Sequence, residues 1–157
     1  MRNFISEDDI EQAILQKLEG DPFQYGILRC DPSPDKRELL PDGTGRSSKK
    51  ECVLPLILRE ALARLNPDIP GEKLEEIARD LCRDFSATDM TATNYKYYNQ
   101  IRNGIKISLR RNGKEDFDFV KLVDFDRPEN NTFTAVSQMW IQGRVYWRRP
   151  DVLIFIN

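Results

Sequence analysis

Histidine is absent from this chain, and no other feature of the composition excludes as much chemistry. Ser-His-Asp and Cys-His nucleophilic catalysis, His-based zinc hydrolysis and the His-dependent nuclease motifs are all ruled out within these residues. Any acid–base or metal chemistry falls to carboxylates, lysine, tyrosine or water. Cysteine is scarce as well. Cys30, Cys52 and Cys82 are odd in number, widely spaced and without a C-x-x-C pair, so neither a zinc site nor a disulfide framework is supported. Cys52 and Cys82 fall in helical patterns and read as small buried apolar residues. No apolar run approaches the roughly 20 residues that span a bilayer. Met1-Arg2-Asn3-Phe4 lacks the apolar stretch and small-residue cleavage site of a secretory signal. The expectation is a cytoplasmic protein with no membrane segment.

What is present describes a globular chain. Its 157 residues, 39% apolar and 32% charged, suit one domain, residues 1–157, long enough to bury a substantial core. The net charge of −2 conceals an asymmetry. Residues 1–90 carry 13 Lys and Arg against 19 Asp and Glu, and residues 91–157 carry 11 against 7, giving −6 and +4. A positive second half is compatible with a phosphate-facing surface.

The first half reads as helical. Ser6 is positioned to cap a helix over 6–19, with Glu7, Asp8 and Asp9 favoured in its first turn by the helix dipole. Ile10, Ile14, Leu15 and Leu18 recur at helical spacing before Gly20. At about 100° per residue, Glu11 falls between Leu15 and Leu18 on the apolar face. Two readings stand for it: a solvated carboxylate on a protruding first turn, or an acid aimed into a polar cavity to help hold a cation. Residues 31–50 are rich in Pro, Gly, Ser and charge and read as a surface loop. Its Gly43-Thr44-Gly45-Arg46-Ser47-Ser48-Lys49-Lys50 does not fit G-x-x-x-x-G-K-[ST], which leaves an ordinary solvated loop or a basic loop touching DNA backbone. Residues 51–103 carry three more helical patterns. One begins at Pro55 with Leu54, Ile57, Leu58, Ala61, Leu62 and Leu65 as its stripe and ends at Asn66-Pro67. Another opens at Pro70-Gly71 and carries Leu74, Ile77, Ala78, Leu81 and Phe85. A third holds Tyr95, Tyr97, Tyr98 and Ile101 and stops at Asn103-Gly104; its aromatics either pack in a core or stack on bases.

Residues 104–157 read as a sheet region. Ile105, Ile107 and Leu109 alternate with polar residues ahead of an Asn112-Gly113 turn. Strands are expected over 117–125 and 132–141, with a turn at 126–131 and a break at Gly143. The unbroken apolar run of 151–156 suggests a central strand covered on both faces. Helices followed by a largely antiparallel sheet indicate an α+β domain. Asp151, following Pro150 at the mouth of that last strand, is where metal-dependent nucleases anchor a first ligand; an aspartate there is also a common turn or cap residue. Asn157 would suit the first position of a tight turn, so a hairpin into one more strand is the expected continuation.

Several segments together resemble one family. Leu62-Ala63-Arg64-Leu65-Asn66-Pro67, Asn94, Asp124-Phe125-Asp126-Arg127-Pro128-Glu129-Asn130-Asn131, Gln138 and Arg148-Arg149-Pro150-Asp151-Val152-Leu153-Ile154-Phe155-Ile156-Asn157 resemble the N-terminal nuclease domain of the restriction (R) subunit of type I restriction-modification enzymes. The likeness spans nearly the whole chain. It implies a restriction-endonuclease-like mixed sheet flanked by helices and a PD…(D/E)xK motif, with Asp151 matching the motif's aspartate and Glu11 its acidic position on the first helix. The Glu-x-Lys of the family lies on a following strand that this sequence lacks, and the ATP-hydrolysing motor domains lie beyond it, so the fragment itself is expected to be inactive. The implied cofactor is Mg²⁺, with Asp151 as a direct ligand and Glu11 holding a metal-bound water or tuning the cation. The implied partners are double-stranded DNA and the modification and specificity subunits of a restriction complex. Arg148 and Arg149 either contact DNA phosphates or brace the sheet edge. Two other readings remain: a non-catalytic module for subunit docking or DNA binding, and another nuclease of the same fold, such as a repair enzyme.

Overall fold

The computed structural model describes residues 5–83, 89–111 and 113–157. The readings that rest on residues 1–4, on Phe85 and on Asn112 lie outside the described residues. The chain divides into two compact units, Met1–Lys50 with Thr132–Ile156, and Glu51–Asn131 with Asn157.

In the first unit, helix α1 (Glu7–Glu19) starts where the sequence places it. Ser6 closes a capping box: Asp9 N–H donates to Ser6 Oγ at 3.1 Å, and Ser6 N–H donates to Asp9 Oδ2 at 2.9 Å. The Ser6 hydroxyl and backbone N–H hold the Asp9 carboxyl below its usual range. The buried line differs from the expected stripe. Glu11 and Leu15 are buried, whereas Ile10 and Ile14 are about half exposed, at 53% and 47%. Helix α1 therefore packs along the i, i+4 row that contains the acid, and the solvated reading of Glu11 is overturned.

Three strands form the sheet of this unit: β1 (Gly26–Arg29), β4 (Phe133–Ser137) and β7 (Val152–Ile156), in the order β1-β4-β7. Strand β1 runs parallel to β4, and β7 antiparallel to it, so the sheet is mixed and the α+β class holds. The central strand is β4, with Thr134, Ala135, Val136 and Ser137 all buried. Strand β7 has β4 as its one partner among the described residues, and its Ile154 and Ile156 are half exposed. Among the described residues, 151–156 is therefore paired on one side and half exposed, where the sequence suggests a strand covered on both faces; an apolar run does not distinguish the two. The strand expected over 132–141 stops at Ser137, where Gln138 adopts φ +56°. Beyond it β5 (Ile141–Gln142) pairs with β6 (Trp147–Arg148). Gly143 closes this hairpin by donating its N–H to Tyr146 O at 3.0 Å, and a Cβ there would lie 2.8 Å from that oxygen.

Residues 31–50 run mostly exposed, as the surface-loop reading expects, but three of their polar side chains are not solvated. Thr44, Arg46 and Lys49 are buried around Asp42. Asp42 accepts from the Thr44 N–H at 3.1 Å, from the Thr44 hydroxyl, from Arg46 Nη2 at 2.7 Å and from Lys49 Nζ at 2.7 Å. Arg46 also donates to Trp140 O at 3.1 Å, and Lys49 O accepts from Gln142 N–H at 2.9 Å. Burial is the strongest single influence on the Asp42 carboxyl and opposes its ionisation, but the donors from Lys49, Thr44 and Arg46 together outweigh it and hold the group well below the usual carboxylate range.

The second unit contains α2 (Pro55–Leu65), α3 (Gly71–Leu81), α4 (Met90–Asn103) and the hairpin of β2 (Ile105–Arg111) with β3 (Lys114–Val120). Leu58, Leu62, Leu74, Ile77 and Ala78 of the helices pack with Leu109, Val120 and Leu122 as its core. The strand expected over 117–125 ends at Val120, because the next residues are claimed by side chains. Asn66, at the end of α2, donates to Leu62 O and Lys121 O at 2.9 Å each, and its Oδ1 accepts from Lys121 N–H at 2.7 Å. Asp124 then accepts from Arg127 N–H and Asn130 Nδ2, which folds 124–131 into a turn. Two further expectations change. Cys52 is exposed and Cys82 half-buried rather than core, and α4 buries no residue, leaving Tyr95 and Tyr98 exposed.

Two outcomes follow from these polar locks. Asn66→Ala strands the N–H and C=O of Lys121 and should cost about 2–3 kcal/mol in urea unfolding; a loss under about 0.5 kcal/mol would show the lock to be dispensable. Asp42 has a depressed folded-state pKa, so its contribution is fully present above the unfolded value of about 4 and is lost as pH falls through the folded value. Asp42→Asn should therefore destabilise strongly at pH 7, with the gap to wild type closing as chemical denaturation is repeated below about pH 4. A gap independent of pH would contradict this.

Candidate functional site

Two of the expected site residues are tied to the end of β4 through Gln138, Glu11 by its side chain and Asp151 by its backbone carbonyl. Gln138 is the first residue beyond that strand, and its left-handed backbone, uncommon for a residue with a Cβ, sends main chain and side chain to different partners. Its N–H donates to Asp151 O at 3.0 Å. Its Nε2 donates to Glu11 Oε2 in a short hydrogen bond. One residue thus ties the helix that carries Glu11 to the start of the strand that follows Asp151.

Glu11 is 8% exposed, and among the described residues Gln138 is the partner of its carboxylate. Such a buried carboxylate needs donors, and a single amide N–H leaves most of its acceptor capacity unused. The other end of the same amide is also unsatisfied: Gln138 Oε1 is buried and has no hydrogen-bond partner among the described residues. Because Nε2 must face the carboxylate, the orphan oxygen follows from the amide's orientation. Asp151 itself is exposed, with no side-chain partner among the described residues. Glu11 and Asp151 carry carboxylates and Gln138 an amide oxygen, all hard oxygens of the kind that suits Mg²⁺ rather than a soft metal. The set is short of a closed shell. No group of three Asp, Glu, Cys or His converges among the described residues, and residues 152–157 contain neither glutamate nor lysine.

Arg148 and Arg149 take different positions. Arg148 is exposed, stacked 5.2 Å over Tyr146. Arg149 donates to Pro32 O at 2.7 Å and lies 5.2 Å over the Trp140 ring, so it braces the segment ahead of Asp151 while its remaining N–H groups stay available. A cavity of about 330 Å³ opens nearby in sequence, lined by Glu38, Leu40, Ser47, Ser48, Lys49, Gln142 and Trp147; neither Glu11 nor Asp151 lines it. The residue not singled out for a role beforehand is Gln138. It stands among the residues that carry the family resemblance, but its local signal was only a polar side chain closing an apolar strand, and nothing local foretells a positive φ there.

Residues 4–157 match the family model described as Type I restriction enzyme R protein N terminus. The chain is 30% identical over 154 residues to the type I restriction enzyme HindI endonuclease subunit of Haemophilus influenzae, an alignment covering 98% of this chain and 14% of that protein. It is 28% identical over 156 residues to a protein named as a putative type I restriction enzyme MjaIXP endonuclease subunit, from Methanocaldococcus jannaschii, covering 94% of this chain and 14% of that protein. The chain thus spans about one-seventh of the length of these relatives. No solved structure gives a significant match. No helix among the described residues is long and apolar enough to cross a membrane.

A double-mutant cycle on Glu11→Gln and Gln138→Ala measures the contact that organises the site. Coupling of about 1 kcal/mol or more in unfolding free energy is expected. Additivity within about 0.3–0.5 kcal/mol would mean that the two side chains do not meet in solution.

Proposed function

This chain belongs to the family of type I restriction enzyme R protein N termini, and from that premise we propose that it is the nuclease module of a longer R subunit that hydrolyses phosphodiester bonds of foreign double-stranded DNA with Mg²⁺. The observation that carries the reading is the arrangement at Gln138, where a buried carboxylate and an orphaned amide oxygen share one side chain and the backbone of Asp151 is held by the same residue. Asp151, Glu11 and Gln138 Oε1 would hold the cation, and bound Mg²⁺ supplies charge neutralisation at the phosphate together with an acidified water.

The chain's own residues do the positioning. Gln138 Nε2 orients the Glu11 carboxylate, and its backbone N–H holds the peptide of Asp151, so two ligands distant in sequence are organised by one residue. Asp151, exposed at the mouth of β7, is accessible to a phosphate from solvent. Arg148, also exposed, supplies positive charge beside it for the DNA backbone, while Arg149 acts mainly as a brace. The Glu-x-Lys that completes the motif, with its role in activating water, is assigned to residues outside these 157. ATP hydrolysis, DNA translocation and target choice are assigned to the motor domains and to the modification and specificity subunits. A second reading has one observation in its favour. Helix α4 buries nothing and exposes Met90, Tyr95 and Tyr98, as a face that docks another part of the complex would.

In the reconstituted complex, Asp151→Ala should abolish Mg²⁺-dependent plasmid cleavage while ATP hydrolysis continues, and the 157-residue chain alone should leave plasmid intact. Cleavage surviving in Asp151→Ala, or strong cleavage by the isolated chain, would contradict the assignment.

A further inference from the structure

The β2–β3 ribbon of the second unit has one strand whose polarity is inverted. Directly opposite residues share a face. Ile105, Ile107 and Leu109 of β2 therefore share theirs with Val120, Asp118 and Asp116 of β3, and Lys106, Ser108 and Arg110 share the other with Phe119, Phe117 and Glu115. The first face is the core side, since Leu109 and Val120 are buried in the core cluster and Ile105 and Ile107 pack against it. On the other face Phe117 and Phe119 are 54% and 53% exposed. Strand β3 thus sets two aspartates on the core side and two phenyl rings toward solvent, the reverse of the usual alternation. A register slip of one residue would exchange them. In the register observed, the Phe117 and Phe119 N–H groups donate to the Asp116 and Asp118 carboxylates at 2.9 and 2.8 Å, so the two acids serve the strand's own backbone. Adjacent rings left on one solvent face mark a binding surface.

The surroundings of the rings are cationic. Residues 90–114 contain six Lys and Arg and no Asp or Glu, in a chain whose net charge is −2. On the ring face, Lys106 holds its ammonium 4.2 Å over the Phe117 ring. Arg110 is exposed there. Glu115 is the one carboxylate of that face, and the Ser108 hydroxyl donates to it at 2.9 Å. Gly104, just past the end of α4, has φ +81°, and a Cβ there would lie 3.5 Å from that of Phe119. The helix that carries Lys96 and Arg102 therefore ends beside the second ring.

Rings at i and i+2 stand about 6.8 Å apart along a strand, twice the roughly 3.4 Å spacing of stacked bases, so each can take one base of an unpaired strand. A duplex offers phosphates and base edges but keeps its base faces stacked. Exposed rings flanked by cations therefore fit a single strand, whose bases stack on aromatic side chains while its phosphates meet Lys and Arg. RNA-recognition sheets use aromatics at this spacing. Phe117-Asp118-Phe119-Val120 matches that short run and the rest of their signature is absent, so the likeness is one of surface chemistry. We propose that this ribbon face binds single-stranded DNA, with bases stacked on Phe117 and Phe119 and phosphates held by Lys106 and Arg110. The choice of DNA rests on the nuclease reading; the stacking surface does not, and it uses none of Glu11, Gln138 and Asp151. A cation over a ring is held weakly at an exposed site, so Lys106 can leave Phe117 for a phosphate as a base arrives.

Fluorescence anisotropy of a labelled oligothymidine of about 12 nucleotides, titrated with the 157-residue chain at low salt in EDTA, tests this beside a duplex of the same length. EDTA removes any contribution from a metal centre, so a failure of this face and a failure of the nuclease reading are distinguishable. The single strand should bind more tightly than the duplex. Phe117→Leu and Phe119→Leu keep an apolar side chain but remove the ring, and each should weaken binding about fivefold or more. Phe119→Tyr keeps the ring and should stay within about twofold of wild type. Arg110→Gln should make the log–log salt dependence shallower by about 0.7, the share of one phosphate; its exposed position keeps the test decisive if a Leu variant fails to fold. No saturable binding of the oligothymidine, a duplex bound as tightly as the single strand, or folded Leu variants that bind like wild type would each overturn the proposal, as would an unchanged salt slope in Arg110→Gln.

Discussion

The metal site proposed for the first unit depends on the left-handed turn at Gln138. A residue with a Cβ placed at φ +56° is held there at a cost of order 1–2 kcal/mol, and two hydrogen bonds oppose that cost. One, from the backbone, holds Asp151 O and so determines where β7 begins; the other, from the side chain, reaches the buried carboxylate of Glu11. If the strand simply continued through residue 138, its N–H and its amide would be directed elsewhere. Glu11 would then be a buried charge without a donor, which a fold of marginal stability tolerates badly. The strain and the burial of the acid explain one another.

The same device recurs wherever regular structure stops. Asn66 takes over backbone groups of Leu62 and Lys121, Asp124 folds the turn that follows β3, and Asp42 gathers Thr44, Arg46 and Lys49. In each case a short side chain satisfies groups that a ladder or helix would otherwise pair. Order in the connecting segments therefore comes from a few Asn, Asp and Gln residues. That explains how a segment as rich in Gly, Ser and charge as 43–50 comes to bury the polar side chains of Thr44, Arg46 and Lys49. Its composition resembles that of a solvated loop, but its buried Arg46 and Lys49 both pair with Asp42.

The legible parts of the fold were those whose signals are local. Ser6 with Asp9, Pro55, Pro70-Gly71 and Gly104 mark helix ends through capping and dihedral preference, and α1 to α4 lie where those signals put them. The alternation through Ile105, Ile107 and Leu109 likewise marks β2. Asp151 at the mouth of β7 and Glu11 on an apolar helix row were visible for the same reason. What was missed depends on partners distant in sequence. Strand β1 has only four residues and takes its place from β4. The apolar β7 reads identically as a central or an edge strand until its neighbours are known. Ile10 and Ile14 match a helical stripe, yet the packing row chosen was the one containing Glu11. Gln138 shows the limit most clearly, because its backbone conformation is dictated by Asp151 and Glu11, which lie far from it along the chain.

Glu11, Gln138 and Asp151 are proposed to form one place for a hard divalent cation. Paramagnetic broadening by Mn²⁺ in ¹⁵N-labelled protein tests it most directly, since the effect is local to the ion and needs neither catalysis nor a complete ligand set. At low Mn²⁺, the amides of Glu11, Gln138, Asp151 and Val152 should broaden together and ahead of all others. Broadening that begins at the exposed acids Glu7, Asp8 and Asp9, or that spreads evenly over the surface carboxylates, would contradict the account.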